Sequence, residues 1–395
     1  MSLAPLILKK NEDRRLRAGH LWVFSNEVDI ARTPLKDFAP GDAVEIQAYN
    51  GHVIGSGYVN PNSLIAARIL SRDPQHPPGR SLLVHRLNIA LALRQRLYAK
   101  PYYRVVFGES DGLPGLVVDR YGEALVVQIS TAGMERMKAD IVAALEKVLR
   151  PAAILFRNDV GIRELEGLTL YTETALGTVP ETVTVEEHGL KFEVPLSGGQ
   201  KTGWFFDQHD NRARLLRYVQ QRRVLDVFSY VGAWGIQAAA HGAGNVTCVD
   251  SSAQALQWVQ RNAALNGAAV AVQEADAFDA LKALRESEQR FDVVVLDPPA
   301  FVKRKKDLMA GREAYRRLNQ LAIQLLDRDG ILVSCSCSHH MSSADLLAAI
   351  QSAARHLGRD AQLLEQGMQA PDHPVHPAIP ETAYLKAFYL RVVNL

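Results

Sequence analysis

Two strings near the C-terminus hold the side chains best suited to chemistry. An apolar run, Val293-Val-Val-Leu296, leads into Asp297-Pro298-Pro299-Ala300-Phe301. A second apolar run, Ile331-Leu-Val-Ser334, leads into Cys335-Ser-Cys337-Ser-His339-His340, so that Cys337 follows Asp297 by 40 residues. A carboxylate held by two rigid prolines and a thiol at a strand tip suit alkylation of a pyrimidine at carbon 5. That carbon is a poor nucleophile until a thiolate adds to carbon 6 and creates an enolate or enamine that can attack a methyl donor. Asp297 would hydrogen-bond the ring edge near N3, and a cysteine would add. Cys335 and Cys337 fall on the same side of an ideal strand, so periodicity does not separate them. Cys337 is the expected nucleophile because it lies nearer the exposed end, and a reactive thiol must be reached. Cys335 and Cys248 then read as small buried hydrophobes. The Cys-Ser-Cys-Ser-His-His spacing lacks the second ligand pair of a structural zinc site, so no metal is expected.

These tips need strands to carry them. From about residue 200 the pattern alternates: strands are expected at Val224–Phe228, Asn245–Asp250, Ala269–Glu274, Asp292–Asp297 and Gly330–Cys335. Helical stretches at Gly235–Ala240, Ala253–Leu265 and Glu313–Leu326 lie between them. Such alternation implies a parallel, doubly wound sheet, whose ligands sit beyond the carboxyl ends of the strands. Several of those ends carry an acidic residue. The turn after the first strand, Asp226-Val-Phe228-Ser229-Tyr-Val-Gly232, has a glycine that permits close backbone approach, and a helix opening near Gly235 offers free N–H groups. Asp250 suits a ribose diol. Asp276, followed by Ala277 and Phe278, suits an adenine amino group with an aromatic cover. Helix capping would explain one such aspartate, but not the succession.

At 395 residues the chain exceeds one ordinary core, and two or three domains are expected. The first part, 1–73, is a small β-rich domain with runs at Ala43–Ala48, Val53–Val59 and Leu64–Leu70. A middle α+β domain is expected over 80–192, with helices at Leu82–Tyr98 and about Met134–Leu149, and a sheet domain over 193–395. Apolar residues make up 47% of the chain, charged residues 22%, and no run is long enough for a membrane span, so a cytoplasmic globular protein is expected. The three cysteines make no disulfide framework. A net charge of only +2 excludes a uniformly basic nucleic-acid binder and leaves local clusters to do that work.

The succession of acidic strand ends resembles the class I S-adenosylmethionine-dependent methyltransferases, an α/β class with a Rossmann-like fold. That resemblance implies S-adenosyl-L-methionine as cofactor, its methionine moiety near Asp226, Phe228, Ser229 and Gly232, its ribose at Asp250, and its adenine at Asp276 and Ala277. Over nearly the whole chain the sequence also resembles the bacterial ribosomal RNA large-subunit cytosine-5 methyltransferases that carry an N-terminal PUA domain. The residues that carry this likeness are Gly19-His-Leu-Trp22-Val-Phe24-Ser25-Asn26-Glu27, Gly108-Glu109-Ser-Asp111-Gly112-Leu-Pro114-Gly115, Lys201-Thr202-Gly203-Trp-Phe205-Phe-Asp207-Gln208-His-Asp-Asn211-Arg212, and the two strings above. The family implies a PUA-like domain at the N-terminus, a homodimer, and a lid over the cofactor made by Lys201, Thr202, Phe205, Asp207 and Gln208, with Arg212 orienting Asp207. The Gly108–Gly115 string and Glu186-Glu187-His188-Gly189 match family motifs without a chemistry that residue types alone supply. Many RNA cytosine-5 enzymes carry a second cysteine beside the aspartate motif; here Ala300 and Phe301 follow the prolines, a layout similar to the uridine-5 enzymes.

RNA contact is expected at two clusters, Lys9, Lys10, Arg14 and Arg15 in the first domain, and the segment after Asp297. Seven basic residues against two acidic ones fall within 301–317, with Lys303, Arg304, Lys305 and Lys306 placed to hold phosphates beside a flipped base. Ribosomal RNA is the expected partner. Uridine-C5 or guanine-nitrogen methylation and a non-catalytic assembly role are the competing readings; turnover that survives replacement of Cys337 would favour the guanine reading, and failure to bind S-adenosylmethionine would favour the non-catalytic one.

Overall fold

The structure is a computed structural model and describes residues 3–196, 202–302 and 304–394. The chain forms two compact units, one of Met1–Val183, Pro195–Phe206 and Pro371–Thr382, the other of Thr184–Val194, Asp207–Ala370 and Ala383–Leu395.

In the first unit, alternating apolar residues build a five-stranded sheet from β1 (Ala4–Ile7), β2 (Trp22–Phe24), β3 (Asp42–Gln47), β4 (Val53–Val59) and β5 (Ile65–Ser71), with a short helix α1 (Arg14–Arg17) between β1 and β2. The strand order is β1-β3-β4-β5-β2, and Leu6, Leu8, Leu16, Val44, Ile46 and Ala67 fill its core. Gly57 is needed here, because a Cβ would sit 1.9 Å from the Arg68 carbonyl oxygen. The expected helix appears as α2 (Arg80–Leu97). It packs with α3 (Ala132–Arg136) and α4 (Lys138–Leu149) around a second sheet of β6 (Tyr102–Phe107), β7 (Leu116–Tyr121), β8 (Ala124–Ile129), β9 (Ala153–Asn158) and β10 (Tyr171–Leu176). Leu83, Leu87, Val118, Val127, Ile141 and Leu145 form its core.

One of the unexplained motifs, Gly108–Gly115, finds its use in this unit. Trp22 donates its indole N–H to Glu109 at 2.8 Å, which ties the first five-stranded sheet to the Gly108–Gly115 string. Asp111 of that string takes both guanidinium nitrogens of buried Arg94, at 2.6 and 2.8 Å. These are structural ties, and they account for a tryptophan and two acids on turns.

The second unit is built on seven strands in the order β15-β14-β13-β16-β17-β19-β18. They are β13 (Arg223–Val227), β14 (Asn245–Asp250), β15 (Ala271–Glu274), β16 (Phe291–Leu296), β17 (Leu326–Ser336), β18 (Asp360–Gly367) and β19 (Lys386–Val393). The first five run parallel, as expected, while β19 is antiparallel to both β17 and β18. Helices α5 (His209–Leu215), α6 (Ala233–Ala240), α7 (Ala253–Leu265), α8 (Ala277–Glu286), α9 (Leu308–Leu325) and α10 (Ser343–His356) complete the layers. Strand order reverses at β13, between β14 and β16, and that switch point opens a crevice at the carboxyl ends of β13 and β16. A hairpin of β11 (Thr182–Glu187) and β12 (Leu190–Pro195) hangs on α7, where Asn262 accepts from the Glu193 N–H at 2.7 Å and Asn266 from the Lys191 N–H at 2.9 Å.

Helix α9 starts at Leu308, five residues before the expected Glu313, because the charged segment winds into its first turns. Strand β17 ends at Ser336, so Cys335 lies in the strand and Cys337 beyond it. The even spacing that made the two thiols look equivalent therefore breaks at the strand end.

Candidate active site

The floor of the crevice is made by strand ends. After β13 the chain turns sharply: Phe228 and Tyr230 adopt φ of 68° and 49°, and Gly232 follows at 86°. Left-handed backbone at two aromatic residues is costly, roughly 1–3 kcal/mol each, and such strain collects at functional turns. Asp226 organises the turn from below, taking the Gly235 N–H on Oδ2 at 2.9 Å. Gly235 is required because a Cβ there would lie 2.5 Å from the Cys248 sulfur and 3.2 Å from Asp226. Cys248 is fully buried against Asp226, and burial pushes its thiol well up, as fits the small hydrophobe expected. Asp250, at the end of β14, holds the turn from the side with the Tyr230 and Ser252 N–H groups, both at 2.9 Å. Asp276 is exposed and caps α8 through the Phe278 N–H, so here the ordinary capping role is present. Phe278 packs with Phe301 at 6.5 Å between ring centres, and Arg317 lies over its face at 5.8 Å.

Asp297 follows directly on β16, and its charge is felt by Asp226. Its carboxylate accepts the Gln208 amide N–H on Oδ1 at 3.0 Å and the Trp234 indole N–H on Oδ2 at 3.0 Å. Burial lifts the Asp297 carboxyl to about 6 despite the Trp234 hydrogen bond, with the Asp207 charge adding to the rise. Burial lifts Asp226 to about 7, and the charges of Asp297 and Asp250 reinforce it. Two carboxyls near neutrality in one crevice mark it as the place where charge is handled.

Beneath them sits an ion pair that residue types did not reveal. Buried Arg212 directs Nη2 at Glu187 Oε2, 2.7 Å away, and Gln237 donates to Glu187 Oε1 at 2.6 Å. Burial alone would raise the Glu187 carboxyl, but the Arg212 charge and hydrogen bonds take it down to about 2. Arg212 thus serves Glu187, and it also feels the charge of Asp207, the residue it was expected to orient. Asp207 is itself gripped by the Tyr384 hydroxyl at 2.5 Å. Glu187 was singled out only within a motif of unassigned chemistry, and Trp234 and Tyr384 are residues that sequence reasoning missed. An acid closing the run Thr-Val-Thr-Val and a tryptophan beside Gly232 were the available signals.

Of the expected lid, Asp207 and Gln208 belong to the sheet unit and are buried there. Thr202 and Phe205 belong to the first unit, where the Tyr121 hydroxyl donates to the Thr202 carbonyl at 3.0 Å. Lys201 lies outside the described residues.

Cys337 is partly exposed just beyond β17, its sulfur 4.0 Å from the carbonyl of Pro298, so the thiol tip and the Asp-Pro-Pro tip converge. Cys335 is fully buried, and burial pushes its thiol well up, with the Asp297 charge reinforcing the rise. Of the two thiols, Cys337 is therefore the more accessible. Tyr315 of α9 braces the turn, accepting the Ser336 hydroxyl proton at 2.8 Å and lying 3.2 Å from the Ser338 hydroxyl.

The basic clusters divide. Lys9, Lys10 and Arg14 are exposed, whereas Arg15 is committed to Glu27 at 2.7 and 2.9 Å and to the Trp22 carbonyl. In the second cluster Arg304 pairs with Asp307, while Lys305 and Lys306 are exposed and enter no ion pair among the described residues. Lys303 lies outside them. No three metal-ligating side chains converge among the described residues, and none of their helices is long and apolar enough to cross a membrane.

The fold and crevice define the class of S-adenosylmethionine-dependent methyltransferases, and comparison with known proteins agrees. Residues 171–391 match the S-adenosylmethionine-dependent methyltransferase family, and residues 6–72 match the PUA-like domain family. A solved putative SAM-dependent methyltransferase from Streptococcus mutans superposes with TM-score 0.83 over 98% of this chain and 100% of that one, at 19% identity. A putative methyltransferase complexed with SAH gives TM-score 0.85 with the same coverage and identity. Ribosomal RNA large subunit methyltransferase I of Salmonella arizonae is 39% identical, covering 98% of this chain and 97% of the relative. The protein of the same name from Shigella boydii is also 39% identical, over 98% and 99%. The chain belongs to this family of PUA-domain, S-adenosylmethionine-dependent ribosomal RNA large subunit methyltransferases, and is an enzyme that uses S-adenosylmethionine.

The crevice fits that cofactor by its own chemistry. Asp226 Oδ1 and the Ser229 hydroxyl are buried without a protein hydrogen-bond partner, which leaves both open to the donors of a bound ligand.

Proposed function

We propose that the enzyme methylates carbon 5 of a cytosine in large-subunit ribosomal RNA through a covalent adduct on Cys337. The observation that carries the reading is the meeting of the Cys337 sulfur with the Asp297-Pro298-Pro299 tip, the one accessible thiol among the described residues beside a buried carboxyl raised toward neutrality. The large-subunit RNA substrate is supported by the names of the full-length relatives.

In this reading Asp226 and Ser229 receive the cofactor's methionine end, Asp250 its ribose diol, and Ala277 and Phe278 the adenine side, with Asp207 and Gln208 above. The bound cofactor supplies an electrophilic methyl group on a sulfonium. Cys337 adds as thiolate to carbon 6 of the base. Asp297, poised near neutrality, lends a proton to N3 as negative charge builds in the ring, the role of a general acid. Gln208 and Trp234 fix that carboxyl so that it need not reorganise. Once carbon 5 carries the methyl group, a base would take its proton, N3 would return its proton to Asp297, and the Cys337 thiolate would leave as the carbon 5–carbon 6 double bond re-forms. Lys305, Lys306 and Arg304 hold phosphates on the strand beside the flipped base.

RNA carrying 5-fluorocytidine tests the covalent step, because fluorine at carbon 5 cannot leave as a proton and the adduct persists. A denaturation-resistant complex should form with wild type and not with Cys337→Ala. A complex with 5-fluorouridine alone would move the reading to uridine, which the missing cysteine after Pro299 permits; no complex with either base would remove the covalent mechanism.

A further inference from the structure

Strand β19 opens with Lys386, a residue the methyl-transfer reading leaves unused. It is paired with Ser336 across the antiparallel ladder and is only 7% exposed. Its ammonium donates to the Ser338 carbonyl at 2.7 Å and to the Tyr384 carbonyl at 2.7 Å. No carboxylate pairs with it, and its third N–H has no acceptor among the described residues. A buried ammonium without a counter-ion is costly, and an apolar residue at a strand start would fold more cheaply. Some charge must therefore make the position worthwhile.

The groups that face the Cys337 turn identify it. Tyr315 comes from α9, Asp297 from the end of β16, Cys335 from β17, and Lys386 from β19. His339 and His340 follow along the turn and point to solvent. Tyr315, Asp297 and Cys335 are neutral or negative, so each opposes a thiolate, and Lys386 is a cation that β19 brings to this turn. It already holds the carbonyl one residue after Cys337. We propose that Lys386 is a positioning residue for methyl transfer: it pins the Ser336–Ser338 turn and supplies the positive charge that keeps Cys337 as a thiolate. This rests on the covalent reading above. Burial draws the ammonium down to about 8, and the Cys337 charge works in the opposite direction, as expected of two groups that sense each other. Placement of a cation beside a cysteine is the usual way a protein lowers a thiol's pKa. When the adduct collapses, the same cation receives the departing thiolate.

The test is the rate of iodoacetamide labelling at Cys337, followed peptide by peptide in the full-length enzyme between about pH 6 and pH 9. Wild type, Lys386→Met and Lys386→Arg are compared, with S-adenosylmethionine binding as the check on folding. In Lys386→Met the labelling midpoint should rise by about one pH unit or more, with roughly tenfold slower labelling at pH 7. Turnover should fall by a similar factor with little change in KM, and Lys386→Arg should keep the wild-type midpoint. A folded Lys386→Met with the wild-type midpoint would overturn the proposal. Should Lys386→Met not fold, Lys386→Gln retains a donor for the Ser338 carbonyl without the charge and decides by the same midpoint. Labelling needs no turnover, so it is separable from the covalent reading, which instead fails if Cys337→Ala still methylates RNA.

Discussion

Replacing Glu187 by Gln removes the counter-charge beneath the crevice while preserving shape. Glu187 and Arg212 are 3% and 2% exposed, so solvent screens them little. Moving a carboxyl from the usual 4.5 to about 2 makes its ionised form worth about 3 kcal/mol to the fold, at about 1.4 kcal/mol per pH unit. Breaking a buried pair by deleting one partner costs roughly 3–5 kcal/mol in general. Arg212 also feels Asp207 and Asp297, so the low end, about 3 kcal/mol, is expected. Equilibrium urea unfolding at several pH values provides the assay. A depressed carboxyl contributes stability above its unfolded pKa and loses it as pH falls through the folded one. The gap between wild type and variant should therefore be constant from about pH 7 to pH 5 and roughly halve by pH 3. A gap under about 1 kcal/mol at pH 7, or one that widens in acid, would refute the reasoning.

Three further outcomes follow from the same geometry. Gly235→Ala places a methyl group against Cys248 and Asp226, and should cost about 1–3 kcal/mol of stability and weaken S-adenosylmethionine binding, read by calorimetry. Asp226, raised to about 7 by burial, holds a proton that the unfolded chain lacks between its usual 3.8 and 7; without ligand its contribution to stability falls as pH rises through that window. A cofactor ammonium favours the ionised form, so affinity should drop toward about tenfold per unit as pH falls below 7, and Asp226→Asn should abolish that dependence. Changing Arg304, Lys305 and Lys306 together to Ala should weaken RNA binding and lower the salt slope by about 2–3, with S-adenosylmethionine affinity unchanged.

The sheet was legible because parallel strands buried on both faces read as unbroken apolar runs, as in Val293–Leu296. Strand β18 was not, since most of Asp360–Gly367 is exposed at the sheet edge and its composition is that of a surface loop. The acidic strand ends that build the crevice announced themselves by position, and the tip prolines by rigidity. The residues that tune them did not. Trp234 lies 63 residues before Asp297, Glu187 lies 25 before Arg212, and Lys386 lies 48 beyond Ser338. Each pairing is made by sheet order rather than by local spacing. The difference in burial between the two thiols was equally hidden, because β17 ends at Ser336, between Cys335 and Cys337.

The most direct test is nucleoside mass spectrometry of ribosomal RNA from cells lacking this protein, before and after methylation in vitro with wild-type or Cys337→Ala enzyme. One 5-methylcytidine should be missing and should return with the wild type alone. A missing methylguanosine or 5-methyluridine, or a mark restored equally by Cys337→Ala, would contradict cytosine-5 methylation through Cys337.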